Sequence, residues 1–270
     1  MDWWWAYLAI GLAVGFLAGL LGIGGGMVMV PMLVFVFTAK GFPLEHMMHL
    51  ALATALATIA FTSLSSVRAH HRHGGVDWAV ARTMAPGILA GSLAAALAAG
   101  FIPTRPLAIF FTGFMFYAAA QMFVEIKPRA GRQLPGRAGL FAAGASIGAI
   151  SSVLAAGGAF LSIPFLAWCN LPLKRAIGTA AANGFPIAVA GTAGYVFNGL
   201  RIEGPPAGAG LPDGCLGYVY LPALAIIVAA SMPLAPLGAR FAHRLPVQRL
   251  RAVFALMLFA IGLRMLANLW

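Results

Sequence analysis

Two glycine-rich breaks interrupt long apolar stretches of this chain. Leu21-Gly22-Ile23-Gly24-Gly25-Gly26-Met27 leads to Pro31, and Leu154-Ala155-Ala156-Gly157-Gly158-Ala159-Phe160 leads to Pro164. An offset of 133 relates Leu21 to Leu154, Gly24 to Gly157, Gly25 to Gly158 and Pro31 to Pro164. A helix that restarts after such a break exposes backbone N–H groups with no intrahelical acceptor, and its dipole presents partial positive charge. In low-dielectric surroundings an anion satisfies both. Gly24, Gly25, Gly26, Gly157 and Gly158 are therefore candidate backbone donors to an anion. The competing reading is close helix packing, the role expected of Gly11, Gly15 and Gly19 at small-xxx-small spacing. Broken segments at corresponding positions of two halves favour the binding site.

The span after each break repeats at an offset of 125, which matches Thr54 to Thr179 and Thr58 to Asn183. At 1.5 Å per residue, Thr58 and Asn183 lie roughly 15 Å into their helices, near a bilayer midplane. Thr54 and Thr179 fall one turn earlier on the same faces. Hydroxyl and amide groups there can hydrogen-bond an oxyanion. The alternative for each Thr is a bond to its own i−4 carbonyl, and for Asn183 a place at a helix interface. Arg264, whose partner at an offset of 143 is Gln121, is the one base well inside a span. It either neutralises a bound anion or, being about two turns from the end, snorkels to the outer interface, which is the favoured reading.

Other chemistries find little support. The six acids, Asp2, Glu45, Asp77, Glu125, Glu203 and Asp213, fall near span ends or in loops. No carboxylate is available mid-membrane for a cation site or proton relay, which favours anion movement. In an inside-negative membrane each negative charge leaving gains about 2.3 kcal/mol per 100 mV. His70, His71 and His73 precede Gly74-Gly75-Val76-Asp77-Trp78. A metal-handling protein or membrane-embedded enzyme using this His70–His73 cluster is the alternative function, but near-contiguous histidines make a poor closed shell, and no nucleophile or paired carboxylates accompany them. No enzyme activity, metal site or cofactor is expected. Cys169 and Cys215 are expected on opposite sides of the membrane, unpaired.

The elements that must position these groups follow from composition. With 270 residues, 61% hydrophobic and 9% charged, and a mean hydropathy of +0.92, the chain reads as an all-α polytopic membrane protein in contact with the lipid bilayer. Met1-Asp2-Trp3-Trp4-Trp5 lacks the basic region of a cleavable signal, so the first segment is expected to be retained, with the tryptophans in an interfacial belt. The first repeat, 1–124, holds a broken segment from about Trp3 to Thr38 and spans near Met47–Val67, Trp78–Phe101 and Leu107–Val124. A polar linker, 125–137, follows. The second repeat, 138–270, has a broken segment near Ala138–Trp168 and spans near Leu173–Phe197, Gly217–Leu237 and Arg251–Leu269. The net charge of +11 lies in short loops rather than on a folded basic face, so nucleic acid is not an expected partner.

The loop bases decide how the breaks are threaded. If each broken segment crosses once, the sixteen bases outside Arg264 divide eight to eight. If each folds back as a hairpin, only Lys40, Arg105 and Arg201 share a side with the termini, and the other thirteen lie opposite. Because Lys and Arg accumulate in cytoplasmic loops, two hairpins are expected, with periplasmic termini. Each half then makes an odd number of crossings. The expected architecture is two inverted repeats, each a Gly-broken helical hairpin plus three transmembrane helices.

On these residues the chain resembles the TauE/SafE sulfite exporter family, also called the four-toluene-sulfonate uptake permease family. The resemblance rests on Gly22-Ile23-Gly24-Gly25-Gly26 with Pro31, on Ala53-Thr54, and on the stretch His70 to Trp78. A weaker second copy runs from Gly157-Gly158 to Pro164, with Gly178-Thr179. It implies a bacterial inner-membrane carrier whose partner is a small anionic substrate, sulfite or an organosulfonate. A homodimer is one oligomeric state open to it. The second copy departs by placing Ala155 and Ala159 where the first has Gly22 and Gly26, and Ala resists positive φ and close backbone approach.

Overall fold

In the computed structural model the described residues are 3–21, 25–124, 131–202, 210–242 and 247–267. They form ten α-helices: α1 (Trp4–Leu21), α2 (Gly26–Ala39), α3 (Met47–Arg72), α4 (Trp78–Ala99), α5 (Thr104–Val124), α6 (Arg137–Val153), α7 (Ala159–Trp168), α8 (Leu173–Leu200), α9 (Leu221–Ala242) and α10 (Val247–Ala267). A 3-10 turn, Leu44–His46, precedes α3. A two-strand ribbon, β1 (Cys215–Leu216) and β2 (Val219–Tyr220), precedes α9, so the span expected from Gly217 starts as extended chain. Three stretches, Leu44–Arg72, Trp78–Ala99 and Thr104–Phe123, are long and apolar enough to cross a membrane by themselves. The stretches flanking the two glycine breaks, Trp4–Ala18, Gly26–Ala39, Arg137–Val153 and Ala159–Trp168, are apolar but shorter.

Both broken segments double back. The Tyr7 ring near the start of α1 lies 6.4 Å from Phe37 at the end of α2, and the Lys40 ammonium sits 5.8 Å over the same ring. At the second break, the Gly131 N–H ahead of α6 donates to the Trp168 carbonyl at the end of α7, at 3.3 Å, and the Arg132 guanidinium lies 4.9 Å over the Trp168 ring. Entry and exit are thus adjacent in each hairpin.

Small residues set the helix pairs. A Cβ on Gly11 would lie 2.6 Å from that of Ala230, and one on Gly15 would lie 2.6 Å from the Ser231 backbone, so α1 packs directly against α9. Gly144 and Gly148, the counterparts at an offset of 133, approach the Met84 and Ile88 carbonyls in the same way and bring α6 against α4. With lipid as apolar as the side chains, such backbone proximity is the main source of helix attraction. The packing role expected of Gly11 and Gly15 is observed; the side-chain surroundings of Gly19 lie outside the described residues.

At the centre, α3 and α8 pack together and run antiparallel. His49 at the start of α3 faces Tyr195 near the end of α8, with ring centres 6.4 Å apart. Gly178 at the start of α8 abuts Gly75, just past the end of α3. The α3 helix continues through Arg72, so His70 and His71 occupy its last turn rather than a loop. Buried Leu50, Leu52, Leu56 and Ile59 of α3 join Met27–Val30 of α2 and Ala176 and Ile187 of α8 in one continuous core.

Candidate functional site

Each hairpin turns on a left-handed glycine. Gly25 has φ 68° and Gly158 φ 79°, and each is the N-cap of the second helix of its hairpin, without a side-chain cap. Without a Cβ, glycine reaches this conformation freely, which explains its recurrence at both positions. The opening N–H groups of α2 and α7 therefore start in buried surroundings with no hydrogen bond to a capping side chain. Gly157 is buried beside Gly184 of α8, where a Cβ on Gly184 would stand 2.8 Å from the Gly157 carbonyl. Gly24 lies outside the described residues.

The two turns touch each other. Gly26 faces the Ala155 carbonyl so closely that any Cβ would overlap it, and Ile59 Cδ1 closes the remaining space at 2.7 Å. Ala155 itself adopts φ 45° although it is not glycine. The alanine expected to resist this conformation is held in it by its surroundings, at a cost of about 1–2 kcal/mol.

The repeated threonines are engaged across the chain. Thr54 is fully buried, and its hydroxyl accepts the Tyr220 N–H at 3.1 Å. Thr179 is equally buried and accepts the Asp77 N–H at 2.9 Å. Tyr220 and Asp77 are the residues immediately before α9 and α4, so each hydroxyl receives an N–H at a helix start. An accepting hydroxyl keeps its own O–H to donate. Thr58 donates to the Thr54 carbonyl at 2.9 Å, the local i−4 bond that competes with ligand contact. Asn183 is buried and its amide points to Met84 Sδ at 3.7 Å, a weak acceptor that ties α8 to α4.

Sequence reading missed two hydroxyls beside the second turn. Ser151 and Ser162 are fully buried, and neither Oγ has a hydrogen-bond partner. Ser162 Oγ stands 3.6 Å from where a Gly158 Cβ would be. Their counterparts at an offset of 133 are Ala18 and Met29. A comparison of the halves for polar residues replacing apolar ones would have found them. Unpartnered buried hydroxyls are costly unless something binds them.

Arg264 is not gathered with these groups. It is exposed on α10, with its guanidinium 5.4 Å over the Phe35 ring. His71 Nδ1 accepts the Trp78 indole N–H at 3.0 Å, and His73 Nδ1 lies 2.8 Å from the Ala69 carbonyl. Asp77 caps α4 by accepting the Val80 N–H at 3.2 Å, and its second oxygen is 3.9 Å from exposed Arg175. This segment is thus a structured helix junction. Among the described residues, no three His, Cys, Asp or Glu side chains gather as a metal shell.

The sequence profile described as "Sulfite exporter TauE/SafE" matches residues 7–265. A "Probable membrane transporter protein" of Haemophilus influenzae is 34% identical over 260 residues, covering 96% of each chain. A "Probable membrane transporter protein" of Methanocaldococcus jannaschii is 25% identical, covering 96% of this chain and 94% of its own. No solved structure matches at a significant level. With its multi-pass helical architecture and a family match over nearly its whole length, the chain belongs to the TauE/SafE sulfite exporter family of membrane proteins.

Proposed function

We propose that this protein is a secondary carrier that exports sulfite or a related small sulfur-containing anion or organosulfonate across the bacterial inner membrane. The observation that carries the reading is the meeting of the two hairpin turns, where two helices begin without side-chain caps at left-handed Gly25 and Gly158. Two such starts converging in apolar surroundings suit an oxyanion. Backbone donors come from the Gly24–Gly26 turn and from Gly157 and Gly158. Ser151 and Ser162 supply hydroxyls, and Thr54, Thr58, Thr179 and Asn183 line the flanking helices.

The halves 1–124 and 138–270 act as inverted repeats joined by the linker 125–137. Support comes from the reciprocal packing of α1 on α9 and α4 on α6, and from hairpins whose open ends lie near the starts of antiparallel α3 and α8. Loop charge then puts both termini in the periplasm. Alternating access follows as rocking of one half against the other around the turns. Sulfite and organosulfonate flux in proteoliposomes tests the reading. Movement of an unrelated solute, with neither of these anions transported, would sink it.

A further inference from the structure

A pocket of about 500 Å³ lies where α3 begins, and no residue of either hairpin turn lines it. Its walls include Glu45 and His46 of the 3-10 turn, His49 of α3, Phe101, Arg105 of α5 and Tyr218 of the β1–β2 turn. His49 is only 3% exposed. Its Nε2 is 3.0 Å from the Ala99 carbonyl. A carbonyl only accepts, so Nε2 carries the hydrogen and Nδ1 of the neutral ring is a bare lone pair. That Nδ1 is buried and has no partner.

The surroundings bear on a second proton. Tyr218 stacks on the imidazole with ring centres 5.0 Å apart and 26° between planes, a contact that suits a cationic ring. The Ala99 carbonyl belongs to the C-terminal turn of α4, where the helix dipole favours positive charge, and Glu45 adds a carboxylate. Burial of the ring, His46 with its ring centre 6.4 Å away, and Arg105 oppose an isolated imidazolium. The Tyr195 and Tyr218 phenols complete the facing titratable groups. Burial and the Glu45 charge hold the Tyr218 phenol above its ordinary range, so it stays a donor. With the Glu45 carboxylate and the Arg105 guanidinium of opposite charge in the lining, an imidazolium at His49 leaves the pocket one positive charge over, which an anion balances.

We propose that this pocket is a proton-linked oxyanion site, in which His49 Nδ1 takes up one proton as the pocket takes up one small oxyanion. Neutral His49 offers such an anion no donor at Nδ1; the protonated ring offers an N–H, so the two bind together. The inference takes the oxyanion class from the proposed function and adds to it a second station and a coupled proton.

The test is calorimetric titration of the full-length chain in nanodiscs with methanesulfonate, a strong-acid anion that brings no proton of its own. Buffers of different ionisation enthalpy report proton uptake. Wild type is expected to take up one proton per anion above the His49 midpoint, with Kd rising about tenfold per pH unit there. His49→Gln, whose amide keeps a donor for the Ala99 carbonyl, is expected to abolish the uptake and flatten the pH dependence. Histidine nitrogen NMR of wild type gives an independent readout even where the variant fails to fold: Nδ1 gains a hydrogen when methanesulfonate is added. Absence of binding, binding without proton uptake, or uptake unchanged in His49→Gln overturns the proposal. Anion flux in proteoliposomes together with proton-free binding leaves the carrier reading standing and removes this one. Proton-linked binding without flux does the reverse.

Discussion

Thr54 of α3 holds the residue just ahead of α9: its buried hydroxyl accepts the Tyr220 N–H at 3.1 Å. Thr179 of α8 does the same for Asp77 ahead of α4, at 2.9 Å. Each bond ties a central helix to the start of a helix from the other half, one near the beginning of α3 and one near the beginning of α8. In a carrier that opens at alternate ends, these are the contacts a rocking motion must break or keep.

Removing one acceptor strands a buried N–H, which costs about 1–3 kcal/mol. Thr54→Val should therefore speed amide hydrogen exchange at Tyr220, and Thr179→Val should do so at Asp77, while Ser at either position restores protection. The check is exchange read by mass spectrometry on peptides spanning each residue. Equal acceleration by Ser and Val would show that the hydroxyl is not the acceptor.

Gly26 has no room for a side chain between the Ala155 carbonyl and Ile59, and the Ala155 backbone has no rotamer by which to yield. Gly26→Ala should destabilise the protein by about 1–3 kcal/mol or more and reduce transport. Gly158→Ala meets a movable Ile187 Cδ1 at 2.7 Å but also a φ of 79°, and should cost about 1–2 kcal/mol from the backbone. Gly113→Ala, with nothing within 4 Å of its added Cβ, is the control. Thermal unfolding in detergent, ranked across the three variants, tests the order.

Ser151 and Ser162 should separate function from stability. Deleting a buried hydroxyl that has no protein partner does not weaken the fold, whereas losing a hydrogen bond to a charged ligand costs about 1.5–3 kcal/mol. Ser162→Ala should raise the KM for sulfite about 10- to 150-fold in proteoliposomes with its melting temperature unchanged or higher. Unaltered KM would remove Ser162 from the site.

The two cysteines report sidedness. Burial pushes the Cys215 thiol up to about 12, with Asp213 adding to the rise and Lys40 opposing it, and burial raises Cys169 as well. The thiolate is the reactive form. Because both thiols are shifted upward, labelling should be slow at neutral pH. For Cys215 it should rise about tenfold per pH unit until pH approaches 12. An impermeant maleimide applied to right-side-out vesicles at pH 9 should reach Cys215 alone, and inverted vesicles should expose Cys169. The opposite pattern would overturn the proposal that the termini are periplasmic.

Much of the fold was legible because it is local. Apolar length, the helix-breaking Gly25 and Gly158, and the offsets of 133 and 125 all show in consecutive residues, since backbone conformation and bilayer transfer depend on short stretches of chain. Loop charge even predicted that the broken segments double back, as the Tyr7–Phe37 and Arg132–Trp168 contacts have them do. The site was less legible. Sequence spacing identified Thr54 and Thr179 as a matched pair, but only packing decided that their hydroxyls receive the N–H groups of Tyr220 and Asp77, 166 and 102 residues away. Packing also left Ser151 and Ser162 buried without partners, set Gly26 against Ala155, and stacked Tyr218 on His49. Those outcomes depend on which helix faces meet, and a face is given its neighbour by close approach of small residues far apart in the chain, a long-range choice that no local pattern encodes.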